Sequence, residues 1–210
     1  MCEATTRRTR GRVGTLAGVT TPVDLGPLLE PTATLIIGVQ SSGKSTVGRL
    51  LAESLGRGAF IEGDDLWQMV VAGREDMADP PSDMALEQLE LRYRHGAMLS
   101  QSFVQAGIHA VHVDNIYGPA VIDQLDRVAC RRALVVLRPS VEAVVERELR
   151  RGSGAYDAWR GDGSLVEAVR RFDGWLAETP PVGLWVDSTD QSAEQTVDWI
   201  LEHWDQATVP

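Results

Sequence analysis

Short runs of apolar, often β-branched residues recur along the chain and alternate with longer amphipathic stretches. The apolar runs lack a regular polar alternation, as expected for strands that helices cover on both faces. They predict five strands, at Thr34–Val39, Ala59–Glu62, His109–Asp114, Ala133–Leu137 and Leu184–Asp187. Strands separated by helices are typical of an α/β protein with a mainly parallel sheet.

The amphipathic stretches predict seven helices between and after these strands. They cover Gly43–Leu55, Asp65–Ala72, Met84–Ala106, Ala120–Val128, Val141–Arg151, Leu165–Ala177 and Ser192–Trp204. Two segments that join helices are rich in Gly, Pro, Ser and Asp, and they predict mobile loops at Ala72–Ser82 and Gly152–Gly163. We expect the second loop to act as a lid.

The start of the chain differs from the rest. Residues 1–30 contain four arginines followed by a mixed Gly/Thr/Val stretch without the continuous apolar core of a secretory signal, which predicts a flexible leader. Residues 31–210 contain no repeat or linker and predict a single domain. No apolar run approaches the ~18 residues of a membrane span, and Cys2 and Cys130 are far apart, so we expect a cytoplasmic protein.

The chain is acidic, with a formal net charge of −10 at pH 7. This balance argues against general nucleic-acid binding, which leaves a basic surface. The acidity is concentrated between Glu62 and Glu90, where nine acidic residues stand against Arg74 alone. Two interpretations remain open for this segment: a solvated face, or a rim that attracts magnesium or a cationic substrate.

Residues 38–45 read Gly-Val-Gln-Ser-Ser-Gly-Lys-Ser, a complete match to the phosphate-binding P-loop motif between a strand and a helix. Its glycines let backbone N–H groups turn inward around phosphate oxygens. We expect Lys44, the single lysine of the chain, to contact the β- and γ-phosphates of ATP, and Ser45 to ligate Mg²⁺. The full predicted nucleotide site is Gly38, Val39, Gln40, Ser41, Ser42, Gly43, Lys44, Ser45 and Thr46.

The motif alone leaves the reaction open, because GTPases, ATPases and kinases all use it. The guanine-binding signature Asn-Lys-x-Asp is absent from the sequence, which argues against a GTPase. A kinase acting on a hydroxyl needs a base at the carboxyl end of a strand beside the P-loop. Asp64 follows the second predicted strand and is our candidate, while Asp65 is predicted to cap the next helix.

Several short matches resemble known phosphotransferases. The Gly63-Asp64 pair is similar to that of gluconate kinase and adenylylsulfate kinase. A wider set of matches resembles the chloramphenicol phosphotransferase family, a nucleoside-kinase-like group. These are the serine-rich loop at 40–45, Gln105-Ala106-Gly107, Val113-Asp114-Asn115, Arg147-Glu148, Arg151-Gly152 and Val186-Asp187-Ser188-Thr189.

This resemblance implies a three-layer P-loop fold with a five-stranded parallel sheet, ATP with Mg²⁺, and transfer of the γ-phosphate to a hydroxyl. Asp64 then takes the place of the base. Asn115 stands where the family has a second acid, and the segment Trp67–Met84 is dissimilar. That segment should shape the acceptor pocket, so the acceptor need not be chloramphenicol.

Two arginines lie four residues apart at a predicted helix end, Arg147 and Arg151, and so share one face. They are candidates for lid arginines that neutralise a transferring phosphoryl group, with a solvated helix end as the alternative. Asp114 is a candidate for binding magnesium or the acceptor, with a strand-end turn as the alternative. The predicted acceptor site is Asp64, Trp67, Arg92, Asp114 and Asn115, although core packing for Trp67 and helical ion pairs for Arg92 also fit.

The sequence thus predicts an ATP- and Mg²⁺-dependent kinase that phosphorylates a small-molecule hydroxyl, with antibiotics and related natural products among the acceptors to test. The alternatives are a polynucleotide or tRNA kinase, a nucleotide-sugar kinase, and a nucleotide-binding switch. The sequence predicts neither the acceptor's identity nor the oligomeric state.

Overall fold

The computed structural model describes residues 30–210, so all of the predicted leader except Glu30 lies outside the described residues. The strands are β1 (Ala33–Gly38), β2 (Gly58–Glu62), β3 (His109–Asp114), β4 (Arg132–Leu137), β5 (Leu184–Val186) and β6 (Thr208–Val209). The helices are α1 (Lys44–Ser54), α2 (Gly63–Gln68), α3 (Asp83–Gln105), α4 (Ala120–Asp126), α5 (Val141–Arg151), α6 (Asp157–Arg160), α7 (Leu165–Ala177), α8 (Ala193–Glu202) and α9 (Trp204–Ala207). None of these helices combines the length and apolar character that crossing a membrane requires.

One sheet contains all six strands in the order β2-β3-β1-β4-β5, with β6 paired to β4. The first five strands are parallel, which confirms the predicted sheet. The short β6 was not predicted, and it runs antiparallel to β4 through the pair Ala133 and Thr208. Two residues are too few to show a period in the sequence, so only the packing of the C-terminal segment reveals this strand.

Helices cover both faces of the sheet, as the continuous apolar strands predicted. Ile36 of β1 belongs to the core on the side of α1 and α8, while Leu35 and Ile37 belong to the opposite core with α5 and α7. Neighbouring strand residues point to opposite faces, so each strand must be apolar on both sides. This arrangement places the carboxyl ends of all five parallel strands along one edge, where the candidate residues gather.

The junction of β2 and α2 differs from the prediction. Helix α2 begins directly at Gly63 with Glu62 as its N-cap residue, so Asp65 is not the cap but lies in the first turn, and the helix ends at Gln68 rather than Ala72. A β-carbon on Gly63 would overlap the carboxylate of Asp114. Glycine at this position therefore lets the chain turn from strand to helix against β3, two residues earlier than expected.

The predicted lid segment Gly152–Gly163 is not a continuous loop, because it contains the short helix α6. Tyr156, just before α6, is 1% exposed, and its hydroxyl donates a hydrogen bond of 2.8 Å to the carbonyl of Gln40. Loop-like composition did not show that this aromatic ring anchors the segment to the P-loop. The other predicted loop, Ala72–Ser82, contains neither helix nor strand.

Candidate functional site

The P-loop lies between β1 and α1, and its backbone conformation explains its residue types. Gly43 has φ of 101° at the N-cap of α1, a region that favours glycine. A β-carbon on Gly38 would come within 2.6 Å of the carbonyl oxygen of Leu137. Ser41 has φ of 60° and is the one non-glycine residue with positive φ among residues 30–210. The loop thus adopts the backbone turns from which N–H groups can surround an anion.

Lys44 points back into the loop. It is 8% exposed, and its Nζ donates a 2.9 Å hydrogen bond to the carbonyl of Val39. Burial lowers the pKa of Lys44 to about 8, while the carboxylates of Glu62 and Asp64 counteract part of that shift. A buried ammonium beside exposed Ser45 is suited to exchange its carbonyl partner for phosphate oxygens.

A buried ion pair stands at the end of β3. Asp114 is 1% exposed, and Arg92 of α3 donates to both of its oxygens, with a 3.0 Å bond from Nε to Oδ2. The backbone N–H of Asn115 also donates to Asp114, at 2.6 Å, and His112 Nε2 lies 3.4 Å away. Burial by itself would raise the pKa of Asp114, but Arg92 and His112 hold it well below its usual range. These contacts occupy the carboxylate, so they favour a role in fixing Arg92 over direct metal ligation.

Two further carboxylates flank this pair. Asp64, in the first turn of α2, has a 52% exposed side chain whose Oδ1 lies 3.1 Å from Nη1 of Arg92. Glu62 ends β2 and lies near Ser45 and Lys44; burial raises its pKa, which the Ser45 hydroxyl and the Lys44 ammonium oppose. Glu62 was not predicted as a site residue, although it ends the same strand that led to Asp64.

The residues present could hold magnesium only together with the phosphates of a bound nucleotide. Within residues 30–210, no group of three or more His, Cys, Asp or Glu side chains could hold a metal by itself. The Ser45 hydroxyl and the Glu62 carboxylate are hard oxygen donors of the kind magnesium prefers. Magnesium commonly keeps several waters and takes its remaining ligands from one or two side chains and substrate phosphates, which this pair would suit.

Three cavities meet around the P-loop. A cavity of about 90 Å³ is lined by Lys44, Ser45, Glu62 and Arg92, among others. A second, of about 190 Å³, lies between the P-loop and the N-terminal part of α8. The third and largest, of about 310 Å³, is mostly apolar. Asp64 and Arg92 line both the first and the third, so they stand where the two spaces join.

The two predicted lid arginines lie in different places. Arg147 donates to the carbonyls of Ser42, at 3.1 Å, and of Ser188, at 2.7 Å, and it lines the second cavity. Arg151 is exposed and lines the small cavity beside Lys44. Arg147 therefore already bridges the P-loop and the turn after β5, contrary to the expectation that a closing lid would deliver it. Arg151 lies beside Lys44, and its contact with phosphate stays a prediction.

The largest cavity brings together the predicted residues Trp67, Arg92 and Asn115. Its aromatic walls were not predicted from the sequence; they are Tyr93, Tyr117, Trp159, Phe172 and Trp175. These aromatic residues come from α3, the segment after β3, α6 and α7, so no local motif links them. Their one sequence signal is the i, i+3 spacing of Phe172 and Trp175, which an ordinary packed helix shares.

No family model matches the chain, and no curated protein matches it either. Solved structures do. A gluconokinase from Sinorhizobium meliloti 1021 matches with a TM-score of 0.56 and 22% identity, over 82% of this chain and 91% of that one. Shikimate kinase from Acinetobacter baumannii matches at 0.57 and 18%, over 85% and 96%. The APS kinase of Mycobacterium tuberculosis, in complex with AMPPNP and APS, matches at 0.60 and 17%, over 84% and 99%.

These likenesses concern the fold, because every identity is below 25%. The chain has the three-layer P-loop fold found in kinases of small molecules. Each match extends over at least 91% of the neighbour's own chain. The narrower resemblance to the chloramphenicol phosphotransferase family stays a prediction.

Proposed function

We propose that this protein is a kinase that transfers the γ-phosphate of ATP, with Mg²⁺, to a hydroxyl group of a small molecule. The observation that carries the proposal is the position of Asp64, which lines both the phosphate-sized cavity at the P-loop and the larger cavity beside it. A nucleotide switch has no use for a second cavity joined to the phosphate site. The fold shared with small-molecule kinases supports the same conclusion.

Each part of the site has a role in this reaction. The P-loop amides and Lys44 hold the phosphates, and Arg151 lies where it can neutralise charge on the transferring group. Asp64 accepts the proton of the hydroxyl as that oxygen bonds to the γ-phosphorus and the bond to the β-phosphate oxygen breaks. Arg92 orients Asp64 and is itself fixed by Asp114. Magnesium, held by Ser45 with Glu62 nearby, supplies charge neutralisation for the β- and γ-phosphates when bound.

The proposal includes the finer expectations from the sequence. The nucleoside of ATP would occupy the second cavity, along Arg147 and the N-terminal part of α8. The acceptor would occupy the third, which has space for an antibiotic or related natural product. The proposal also places the protein in the cytoplasm, where ATP is available.

Replacing Lys44 tests the proposal most directly. We expect Lys44→Ala to reduce phosphate transfer by at least about 10³-fold, since a buried charged donor to the phosphates is lost. Transfer from γ-labelled ATP to a library of hydroxylated metabolites and antibiotics is the measurement, with circular dichroism to verify folding. Arg150→Ala is the control, because Arg150 is exposed and pairs with Glu146 away from the cavities. Unchanged ATP binding and turnover in Lys44→Ala would refute the proposed function.

A further inference from the structure

Four side chains line both the small cavity beside Lys44 and the largest cavity, and they are Gln40, Asp64, Arg92 and Asn115. They therefore stand where a phosphoryl group would pass from the nucleotide to the acceptor. Asp64 and Arg92 already contact each other, at 3.1 Å. The side-chain oxygen of Asn115 is shielded from solvent, so it cannot contact a ligand. Gln40 is the remaining member of the group.

The side-chain amide of Gln40 is available for a ligand. Gln40 is half-buried, and among residues 30–210 its hydrogen bond to a side chain is accepted by its backbone carbonyl, while its amide forms none. An amide offers two N–H donors and one carbonyl acceptor without a net charge. The P-loop motif leaves the residue type at this position unrestricted, so phosphate binding by the backbone does not explain why the side chain is a glutamine.

The backbone on either side of this amide is held in place. The Tyr156 hydroxyl donates to the carbonyl of Gln40 at 2.8 Å, and the Tyr156 ring packs edge-on against Phe172 with centroids 5.3 Å apart. The next residue, Ser41, has φ of 60° and donates to Glu148 at 2.5 Å. A donor that is fixed before the reaction stabilises developing charge without the cost of reorganising the site.

The charges at this junction favour a neutral donor. A phosphoryl group in transfer spreads negative charge over three oxygens. Lys44 and Arg151 line the small cavity and can neutralise that charge from one side. Among residues 30–210, Arg92 is the one basic residue that lines the largest cavity, and it already contacts Asp114 and Asp64. An amide can donate to the phosphoryl oxygens on this side without pairing with the Asp64 carboxylate as a further cation would.

From these observations, and resting on the proposed kinase function, we propose that Gln40 is a further catalytic residue. Its side-chain N–H donates to an oxygen of the phosphoryl group while the bond to the β-phosphate oxygen breaks and the bond to the acceptor oxygen forms. Asp64 takes the proton of the acceptor hydroxyl, and Gln40 neither gains nor loses one. Because the contact is made with the transferring group, it lowers the barrier to transfer and adds little to nucleotide affinity.

Substitutions at Gln40 test this role with the acceptor that the wild type phosphorylates fastest in the library of hydroxylated metabolites and antibiotics. Gln40→Met keeps the size of the side chain and removes the amide. We expect kcat for transfer from γ-labelled ATP to fall about 10²-fold, and KM for ATP to change less than threefold. Gln40→Glu places a negative charge beside the phosphoryl group and should lower kcat further.

Gln105→Met is the matched control, because Gln105 is exposed at the end of α3 and lines none of the three cavities around the P-loop. Calorimetry with a non-hydrolysable ATP analogue measures nucleotide affinity, and urea unfolding verifies that each variant folds. Full transfer activity of Gln40→Met would overturn the proposal. So would a loss of analogue affinity as large as the loss of transfer, because it would assign Gln40 to nucleotide binding.

Tyr156→Phe tests whether the fixed backbone acts through Gln40. The substitution keeps the ring and removes the hydrogen bond to the Gln40 carbonyl. We expect kcat to fall about 3- to 10-fold in the wild type and less than about twofold in Gln40→Met, because coupled residues are not additive. The same loss in both backgrounds would show that Tyr156 does not position this amide.

The Gln40 assignment and the kinase proposal fail in different ways. If the wild type transfers phosphate and Gln40→Met transfers it equally well, the assignment is refuted and the kinase stands. If the wild type only hydrolyses ATP, the kinase is refuted. Hydrolysis that Gln40→Met slows about 10²-fold at unchanged affinity would still uphold the contact between Gln40 and the phosphoryl group, and unchanged hydrolysis would refute it.

Discussion

The proposed nucleotide half and the proposed acceptor half of this site are built in different ways. The phosphate-binding part of the nucleotide half is continuous in sequence, with the P-loop at residues 38–46, and it uses the backbone at Gly38 and Gly43 together with Lys44. The acceptor half consists of side chains from α2, α3, α6, α7 and the segment after β3. Phosphate is the same group in every nucleotide, so a local backbone motif can bind it. An acceptor has its own shape, which only packed side chains can match.

Asp64 belongs to both halves, and its replacement gives the largest effect expected in this comparison. Asp64→Asn should lower phosphate transfer by about 10²–10⁴ and leave ATP affinity unchanged, because it removes the base while the P-loop still holds the phosphates. Turnover and calorimetric binding of a non-hydrolysable ATP analogue are the measurements. Asp65→Asn is the matched control, since Asp65 is exposed in the first turn of α2 and is not its cap. Full activity of Asp64→Asn would show that Asp64 is not the base and does not link the nucleotide half to the acceptor half.

The buried ion pair between Asp114 and Arg92 lies next to Asp64, where the two cavities join. Asp114→Asn should cost about 3–5 kcal/mol of unfolding free energy at neutral pH, because it leaves Arg92 poorly compensated. Urea unfolding measures this cost. Asp126→Asn is the control: Asp126 pairs with Arg132 at 3.2 Å with a 64% exposed side chain, and we expect a loss below about 1 kcal/mol.

The same pair predicts a dependence on pH. The folded protein holds the pKa of Asp114 below its ordinary value of 3.8, so the stabilisation is present above that value and is lost as the pH falls from it toward the lower pKa of the folded state. The wild-type protein should therefore lose stability below about pH 4, and Asp114→Asn should show a flatter profile there. Parallel profiles of the two proteins in acid would show that Asp114 does not carry this stabilisation.

A smaller effect is expected where the lid segment contacts the P-loop. Glu148 is 4% exposed and accepts hydrogen bonds from the Ser41 hydroxyl at 2.5 Å, from Ser153 at 2.7 Å and from the backbone N–H of Ala155 at 3.2 Å. Burial raises the pKa of Glu148, but these donors outweigh it and lower the pKa. The carboxylate thus stabilises Ser41 in its positive-φ conformation and joins it to the segment before α6.

Glu148→Gln weakens these bonds because they are no longer charge-assisted. We expect KM for ATP to rise about 10-fold, kcat to change less than threefold, and amide exchange of residues 153–156 to accelerate. Glu146→Gln is the control, since Glu146 is 71% exposed and pairs only with Arg150 in the described contacts. A fall in kcat with unchanged KM would assign Glu148 to the chemical step instead of to loop geometry.

The sequence anticipated the parallel sheet because a strand covered on both faces must be apolar throughout, and β1, β3 and β4 are fully or almost fully buried. It failed at α2, where the helix start depends on the contact between Gly63 and Asp114, residues about fifty positions apart. It also missed that Tyr156 anchors the segment before α6, because its partner, Gln40, is distant in sequence. Both errors have one cause: the deciding contact is not local.

The sequence by itself determined the backbone turn of the P-loop, since Gly38, Gly43 and Lys44 are dictated by backbone geometry and charge at neighbouring positions. It also determined that the strands form a covered parallel sheet. Tertiary structure alone decided that Asp64 stands between two cavities, that Arg147 bridges carbonyl groups rather than arriving with a lid, and that aromatic rings from distant helices form one wall. The physical reason is that local geometry follows from adjacent residues, whereas a cavity is defined by elements that only folding brings together.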